Sequence, residues 1–244
     1  MSISSRPERP TLVLCPGLLN DARVFAPQIA ALGSRVDCLV ADLAAHESLV
    51  EMAAAMLAQA PPRFALLGFS MGGYVAFEIL RQARDRVTRL ALLDTSARPD
   101  TPEQTAQRQA MLRLAQTGAF KGVTPRLLPR LVHPSRLDDP SVTEPIFAMA
   151  TSIGRDGFLR QQVAIMGRPD NRPLLASVSV PTLVVCGRDD QLTPPALSQE
   201  IAAAVPDAEL IVIDDCGHVA PLERPEIVTA AIETWLFSHP PAAR

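Results

Sequence analysis

The sequence predicts an α/β protein: a doubly wound, mostly parallel sheet of about six strands, carrying a helical cap insertion. Three observations predict it. Six short apolar runs rich in β-branched residues recur along the 244 residues. Each run is apolar on both parities rather than alternating, the pattern of a strand covered on both faces of a parallel sheet. Longer stretches of helical pattern follow most of the runs, giving the strand–helix–strand rhythm of parallel crossovers.

Taken in order, Thr11–Cys15 is the first strand, and Ala22–Leu32 follows as a helix opened by Asn20-Asp21. Val36–Val40 is the second strand. Ser48–Ala60 is the next helix, with Ser48 as N-cap because its hydroxyl can accept from a first-turn N–H. Phe64–Gly68 is the third strand and Met71–Arg84 its helix; Val87–Leu93 is the fourth strand. Thr182–Gly187 and Ala208–Asp214 complete the sheet, alternating with helices at Pro194–Val205 and Pro225–His239, the latter with proline at its first turn. The last residues, Pro240–Arg244, read as a frayed tail.

Between Leu93 and Pro181 nearly ninety residues replace a short crossover. Apolar residues recur there at helical spacing (Met111, Leu112, Leu114; Phe147, Met149, Ile153), and prolines at 125, 129, 134, 140, 145 and 169 break the pattern. The expected division is therefore a core of residues 1–95 and 181–244 with a helical cap at 96–180. The cap holds 11 Arg+Lys against 7 Asp+Glu, so it is +4 on a body of −7. Those charges are either a solvated helix surface with internal ion pairs or an attraction for anionic substrates.

A chain of this length, 48% hydrophobic and 20% charged, supports one large core without disulfide staples. Its four cysteines (Cys15, Cys38, Cys186, Cys216) form no Cys-x-x-Cys pair, which fits a reduced, cytoplasmic protein. Met1–Pro10 is polar with no apolar h-region, and no window approaches the roughly 18 apolar residues a span requires, so no signal peptide or membrane association is expected. The net charge of −3 and a single lysine, Lys121, argue against nucleic acid. No His-x-x-x-His pair, Cys/His cluster or G-x-G-x-x-G is present, so neither metal nor nucleotide cofactor is expected.

The chemistry concentrates at Gly68-Phe69-Ser70-Met71-Gly72-Gly73, which leaves an apolar strand and opens an apolar helix. A serine on that tight turn projects at the sheet edge, and the flanking glycines let strand and helix approach. The N-terminus of the helix favours negative charge developing on a nearby substrate oxygen. A serine hydroxyl needs a base, and the base an orienting carboxylate. Of the four histidines, His218 follows the last strand in a loop that runs to Pro225, whereas His46, His133 and His239 lie in helix-flanking or tail segments. The serine's strand and this one are expected three places apart, about 14 Å, a gap that a short loop and an imidazole can cover. For the carboxylate, Asp190 stands three residues past Gly187 with room to turn toward the imidazole; Asp189 is a neighbour that can cap the loop, and Asp94 after the fourth strand is a third candidate. An oxyanion hole needs two N–H groups near the serine: Met71 supplies one, and Leu18 is the second, because Pro16 lacks an N–H and Gly17 permits close approach.

These segments together, the Gly68–Gly72 turn, Gly187-x-x-Asp190-x-x-x-Pro194, Gly217-His218 and Pro16-Gly17, make the chain resemble the α/β-hydrolase superfamily over residues 11–239. Within it the chain is similar to small cap-bearing serine esterases, including the pimeloyl-acyl-carrier-protein methyl ester carboxylesterases, and to carbon–carbon bond hydrolases. The resemblance implies an acyl-serine intermediate, no cofactor, and a cap that roofs the substrate pocket. Two features depart from it. Only ten polar residues precede Thr11, so the sheet should be trimmed to six strands; and no His precedes Gly17, while Ala44-Ala45-His46-Glu47-Ser48 stands where the family has Gly-x-Gly-x-Ser.

The expected activity is hydrolysis of carboxylic esters or thioesters of small to medium acyl groups. The alternatives are a lyase, synthase-type or carbon–carbon bond reaction at the same residues, and a non-enzymatic receptor on the same scaffold. Phe120, Phe147, Phe158 and Met166 either line an apolar acyl pocket or simply fill the cap. Arg126, Arg130, Arg155 and Arg160 could read an anionic or carrier-protein-bound substrate.

Overall fold

The computed structural model describes residues 9–237. Six strands form one sheet: β1 (Thr11–Cys15), β2 (Asp37–Val40), β3 (Phe64–Phe69), β4 (Val87–Leu93), β5 (Thr182–Gly187) and β6 (Glu209–Ile213). Their order is β2-β1-β3-β4-β5-β6, and every neighbouring pair is parallel. The six apolar runs of the sequence are these six strands, lengthened by one residue, Phe69, at β3 and shortened by a residue or two at β2 and β6. Those two lie at the sheet's edges, where a single neighbour leaves the ends unpaired.

The helices are α1 (Ala26–Leu32), α2 (Leu49–Gln59), α3 (Met71–Ala83), α4 (Pro102–Leu114), α5 (Leu128–Leu131), α6 (Pro140–Met166), α7 (Arg172–Leu175), α8 (Pro195–Ala204), α9 (Ala220–Glu223) and α10 (Pro225–Phe237). A 3-10 turn, Ala22–Phe25, takes the first part of the helix expected at 22–32, its Asp21 side chain accepting from the Arg23 N–H. Ser48 caps α2 by accepting from the Glu51 N–H. Pro194 stands outside α8 as its N-cap rather than inside it. The expected extension of the last helix to His239, the tail at Pro240–Arg244 and most of the Met1–Pro10 segment lie outside the described residues.

Alternate residues of each strand feed the two faces, and this is what double winding requires. Leu12, Leu14, Leu67, Leu93 and Val185 pack with Phe25, Leu32, Ile232 and Trp235 on one side. Val13, Cys15, Leu66, Leu92 and Val184 pack with Met52, Met56, Val75, Ile79 and Ile201 on the other. Burying each such side chain contributes about 1.5–3 kcal/mol, so the strands are held from both faces at once.

The stretch between β4 and β5 is helical, but it is not a detached lid. Leu128, Val132, Val142, Ile146 and Met149 join the sheet-face cluster of Leu12 and Trp235. Leu175 and Val178, near its end, pack with the body beside Val75 and Ile201. Buried Asp100 takes Arg108 at 2.8 Å and Arg168 at 2.6 Å, and the Arg168 guanidinium lies 4.4 Å from the centre of the Tyr74 ring on α3. The break expected at Pro145 does not occur, and α6 runs through it. Pro145 has no N–H to give to the Ser141 carbonyl, so α6 forgoes one bond near its N-terminus and continues. The interruption comes instead at Gly154, with φ 67° and ψ −173°, a conformation that only glycine adopts freely.

Candidate active site

Ser70 sits between β3 and α3 with φ 53° and ψ −115°, a left-handed conformation unusual for a residue with a side chain. The surroundings impose it. The Ser70 N–H donates to Leu93 O at 2.9 Å, and the Thr95 hydroxyl donates to Ser70 O at 2.7 Å. The glycines are required by contact: a Cβ on Gly72 would stand 1.9 Å from Cys15 O, and one on Gly68 2.5 Å from Gly72 O. Helix α3 therefore starts close against the end of β1, and the serine is turned out of the sheet.

His218 reaches across from the loop after β6. Its Nε2 lies 2.9 Å from Ser70 Oγ, and its Nδ1 lies 2.8 Å from Asp190 Oδ2. Both partners are shielded from solvent, His218 being 5% exposed and Asp190 3%. The Phe69 ring packs 5.5 Å from the imidazole, centre to centre. Asp190 is itself fully occupied: Oδ1 accepts the N–H groups of Leu192 and Thr193 at 2.8 and 2.9 Å, and Oδ2 also accepts the Thr193 hydroxyl at 2.6 Å. Burial alone would raise the Asp190 carboxyl, but the adjacent imidazole and the hydrogen bonds from His218 and Thr193 outweigh it, and the group is held below the usual carboxylate range. A hydroxyl, an imidazole and an ionised carboxylate in one row can move a proton from Oγ to Nε2 and steady the charge that results.

The other acidic candidates lie elsewhere. The Asp189 side chain is half exposed and 3.8 Å from His133 Nε2. Asp94 is fully buried at the end of β4 with φ 45°, and its Oδ1 accepts the Gly187 N–H at 2.9 Å. Burial first and repulsion from Asp190 second push its carboxyl well above the usual range, and its hydrogen bond with Gly187 ties β4 to the start of the Asp190 loop. Burial first, and the nearby Asp94 and Glu223 second, push the thiol of Cys216, two residues before His218, far beyond the physiological range and make it a poor rival nucleophile.

After β1, the turn Gly17–Asn20 closes with the Asn20 N–H donating to Gly17 O at 3.2 Å, and Leu19 adopts φ 59°. The Leu18 and Met71 N–H groups donate to no carbonyl or side chain among the described residues. Around this turn Leu18, Leu19, Ala115, Phe120, Ala150, Ile153 and Phe158 form a separate apolar cluster, with the Phe120 and Phe158 rings 5.0 Å apart. Phe147 packs instead against the sheet-face core, and Met166, at the end of α6, belongs to none of the three apolar clusters.

Two buried polar residues here escape a reading of the sequence. Gln161, 0% exposed, accepts the Leu19 N–H at 3.0 Å and donates to Leu43 O at 3.2 Å, pinning the turn that carries Leu18. Glu223, 1% exposed, accepts three backbone N–H groups, from His133, Gly217 and Val219. On α6, Gln161 reads as one more polar helix residue; its role arises from the crossing of α6 over the Leu18 turn. Glu223 offers only its position five residues after His218.

Residues 12–231 match the model of the alpha/beta hydrolase family. The chain belongs to that family. A thermophilic esterase from Thermogutta terrifontis, solved with malate bound, is 32% identical, with a TM-score of 0.83 over 95% of this chain and 90% of that one. The enol-lactonase from Burkholderia xenovorans LB400 is 26% identical, with a TM-score of 0.85 over 96% and 93% of the two chains. A Mycobacterium tuberculosis protein with the provisional name non-heme bromoperoxidase BpoC is 30% identical over 214 residues, 85% of this chain and 78% of that one. The protein is thus an enzyme of the hydrolase class on the α/β-hydrolase fold. No helix among the described residues is long and apolar enough to cross a membrane.

Proposed function

We propose that this hydrolase cleaves carboxylic esters or thioesters of small to medium acyl groups through an acyl-serine intermediate. The observation that carries the reading is the row Ser70 Oγ–His218 Nε2, 2.9 Å, and His218 Nδ1–Asp190 Oδ2, 2.8 Å, mounted on a left-handed serine turn. Ser70 Oγ attacks the acyl carbon as His218 takes its proton. Asp190 holds the imidazole and steadies its charge, and the Leu18 and Met71 N–H groups receive the oxyanion. His218 returns the proton to the leaving alcohol or thiol. Water, activated by the same imidazole, then releases the acid.

The apolar cluster of Phe120, Phe158 and Ile153 beside Leu18 supports an apolar acyl chain. Of the cap arginines, Arg155 pairs with Asp156 and Arg160 donates to Ala44 O. Arg126 and Arg130 are exposed and have no acidic partner among the described residues, which supports an anionic or carrier-bound substrate as their target. Turnover of p-nitrophenyl esters of increasing acyl length tests the reading. A pre-steady-state burst equal to the enzyme concentration is expected, with neither burst nor turnover in Ser70→Ala; turnover that survives in Ser70→Ala would overturn it.

A further inference from the structure

The loop that carries His218 is held by more than its own strand. The His218 N–H donates to Leu131 O at 2.9 Å. The N–H groups on either side, Gly217 and Val219, donate to the two oxygens of Glu223 at 3.1 and 3.0 Å. The same carboxylate takes the His133 N–H at 2.7 Å. Close by, Gln191 donates to Pro129 O at 3.2 Å, which ties the loop of Asp190 to the same short segment. Residues 129–133, inside the insertion, are thus laced to the loops of both the imidazole and its carboxylate. Gly217 fits there only without a side chain, since a Cβ would stand 2.7 Å from His133 N.

We propose that Glu223 is the positioning residue for His218, and that through it the insertion segment 129–133 sets where the imidazole sits. The inference rests on the serine-hydrolase reading for its effect on turnover, but not for its effect on the loop. The Glu223 carboxylate meets donors at both oxygens, two N–H groups at Oε2 and one at Oε1. In Glu223→Gln the amide –NH2 faces at least one of these N–H groups whichever way it is turned, and the loop must open at that corner. Loss of hydrogen bonds to a charged group at a buried site predicts kcat lower by about tenfold to a hundredfold. KM should change by less than about twofold, because no substrate contact is removed.

A second variant cuts the link from the insertion side. His133 has φ −60°, and Val132 before it is extended at φ −126° and ψ 141°, so both tolerate proline at position 133. In His133→Pro the ring Cδ stands where the N–H proton stood and drives the carboxylate from that corner. His133→Ala keeps the N–H and removes only the imidazole. We expect kcat of His133→Pro to fall about fivefold or more below that of His133→Ala at equal KM, with faster amide exchange at residues 216–219 in the proline variant alone. Equal kcat and equal exchange in the two variants would overturn the proposal. If the wild type turns over no ester, the serine-hydrolase reading fails. The exchange comparison still decides the positioning role: unchanged protection in Glu223→Gln and His133→Pro refutes it.

Discussion

Replacing Gln161 by leucine removes the side chain whose hydrogen bonds join the Leu18 turn to the chain after β2. The side chain is fully buried, so water does not take its place. The Leu19 N–H, at 3.0 Å from Gln161 Oε1, and Leu43 O, at 3.2 Å from Nε2, both lose their partner. A buried group left unsatisfied costs about 1–3 kcal/mol, so the pair costs about 2–6 kcal/mol. The extra apolar surface of leucine returns about 1–2 kcal/mol, leaving a net loss of about 0–5 kcal/mol, centred near about 2–3 kcal/mol. For a chain of this size the central value lowers Tm by about 4–12 °C. Turnover should fall as well. Deleting one oxyanion donor outright costs about a hundredfold to a thousandfold in kcat, and a turn that is loosened rather than cut should lose about tenfold. Scanning calorimetry and ester kinetics on Gln161→Leu measure both. A wild-type Tm together with wild-type kcat would show that the turn holds its shape without Gln161, and the reasoning would fail.

Asp190→Asn should lower kcat by about ten-thousandfold, the scale set by the same change in a serine protease, while Asp189→Asn, on an exposed side chain, should stay within about threefold; steady-state kinetics on the pair separates them. Asp94 gives a pH prediction: its raised carboxyl holds a proton in the folded state that the unfolded chain has lost, so its contribution to stability falls as pH rises above about 4 toward the folded pKa. Relative to Asp94→Asn, which has nothing to ionise there, the wild type should lose up to about 1.4 kcal/mol per pH unit in that window, measured by urea unfolding between pH 4.5 and 8; parallel stability curves would contradict it. Gly72→Ala puts a Cβ 1.9 Å from Cys15 O, a backbone contact that cannot give way, and should yield insoluble or strongly destabilised protein by thermal melt. Arg126→Ala with Arg130→Ala should raise KM for an anionic ester severalfold and leave a neutral ester of equal length unchanged, with the gap closing as salt is added.

The sheet was legible in the sequence because strands buried on both faces are apolar on both parities, as at Leu12–Cys15 and Leu90–Leu93, and the shortness of those runs marks them as strands rather than helices. The serine turn was legible for a related reason: Gly68, Ser70 and Gly72 are spaced by the close approach of β1, β3 and α3, a local demand that leaves a local pattern. What the sequence did not show depends on distant parts meeting. Gln161 serves a turn 142 residues away, and Glu223 takes an N–H from His133 ninety residues away, so neither leaves a mark in its own neighbourhood. The helical insertion hid its packing for the same reason. Spacing placed Met149 and Phe147 on a helix, but only the crossing of α6 over the sheet decided that both would pack with the core and that Phe120 and Phe158 would lie beside Leu18.

The account turns on a serine made nucleophilic by His218. Intact-mass spectrometry after incubation with a fluorophosphonate, on wild type, Ser70→Ala and His218→Ala, tests that claim most directly. One adduct on the wild type, absent from Ser70→Ala and nearly absent from His218→Ala over the same interval, is the predicted result. An unlabelled wild type, or an adduct that persists in Ser70→Ala, would contradict it.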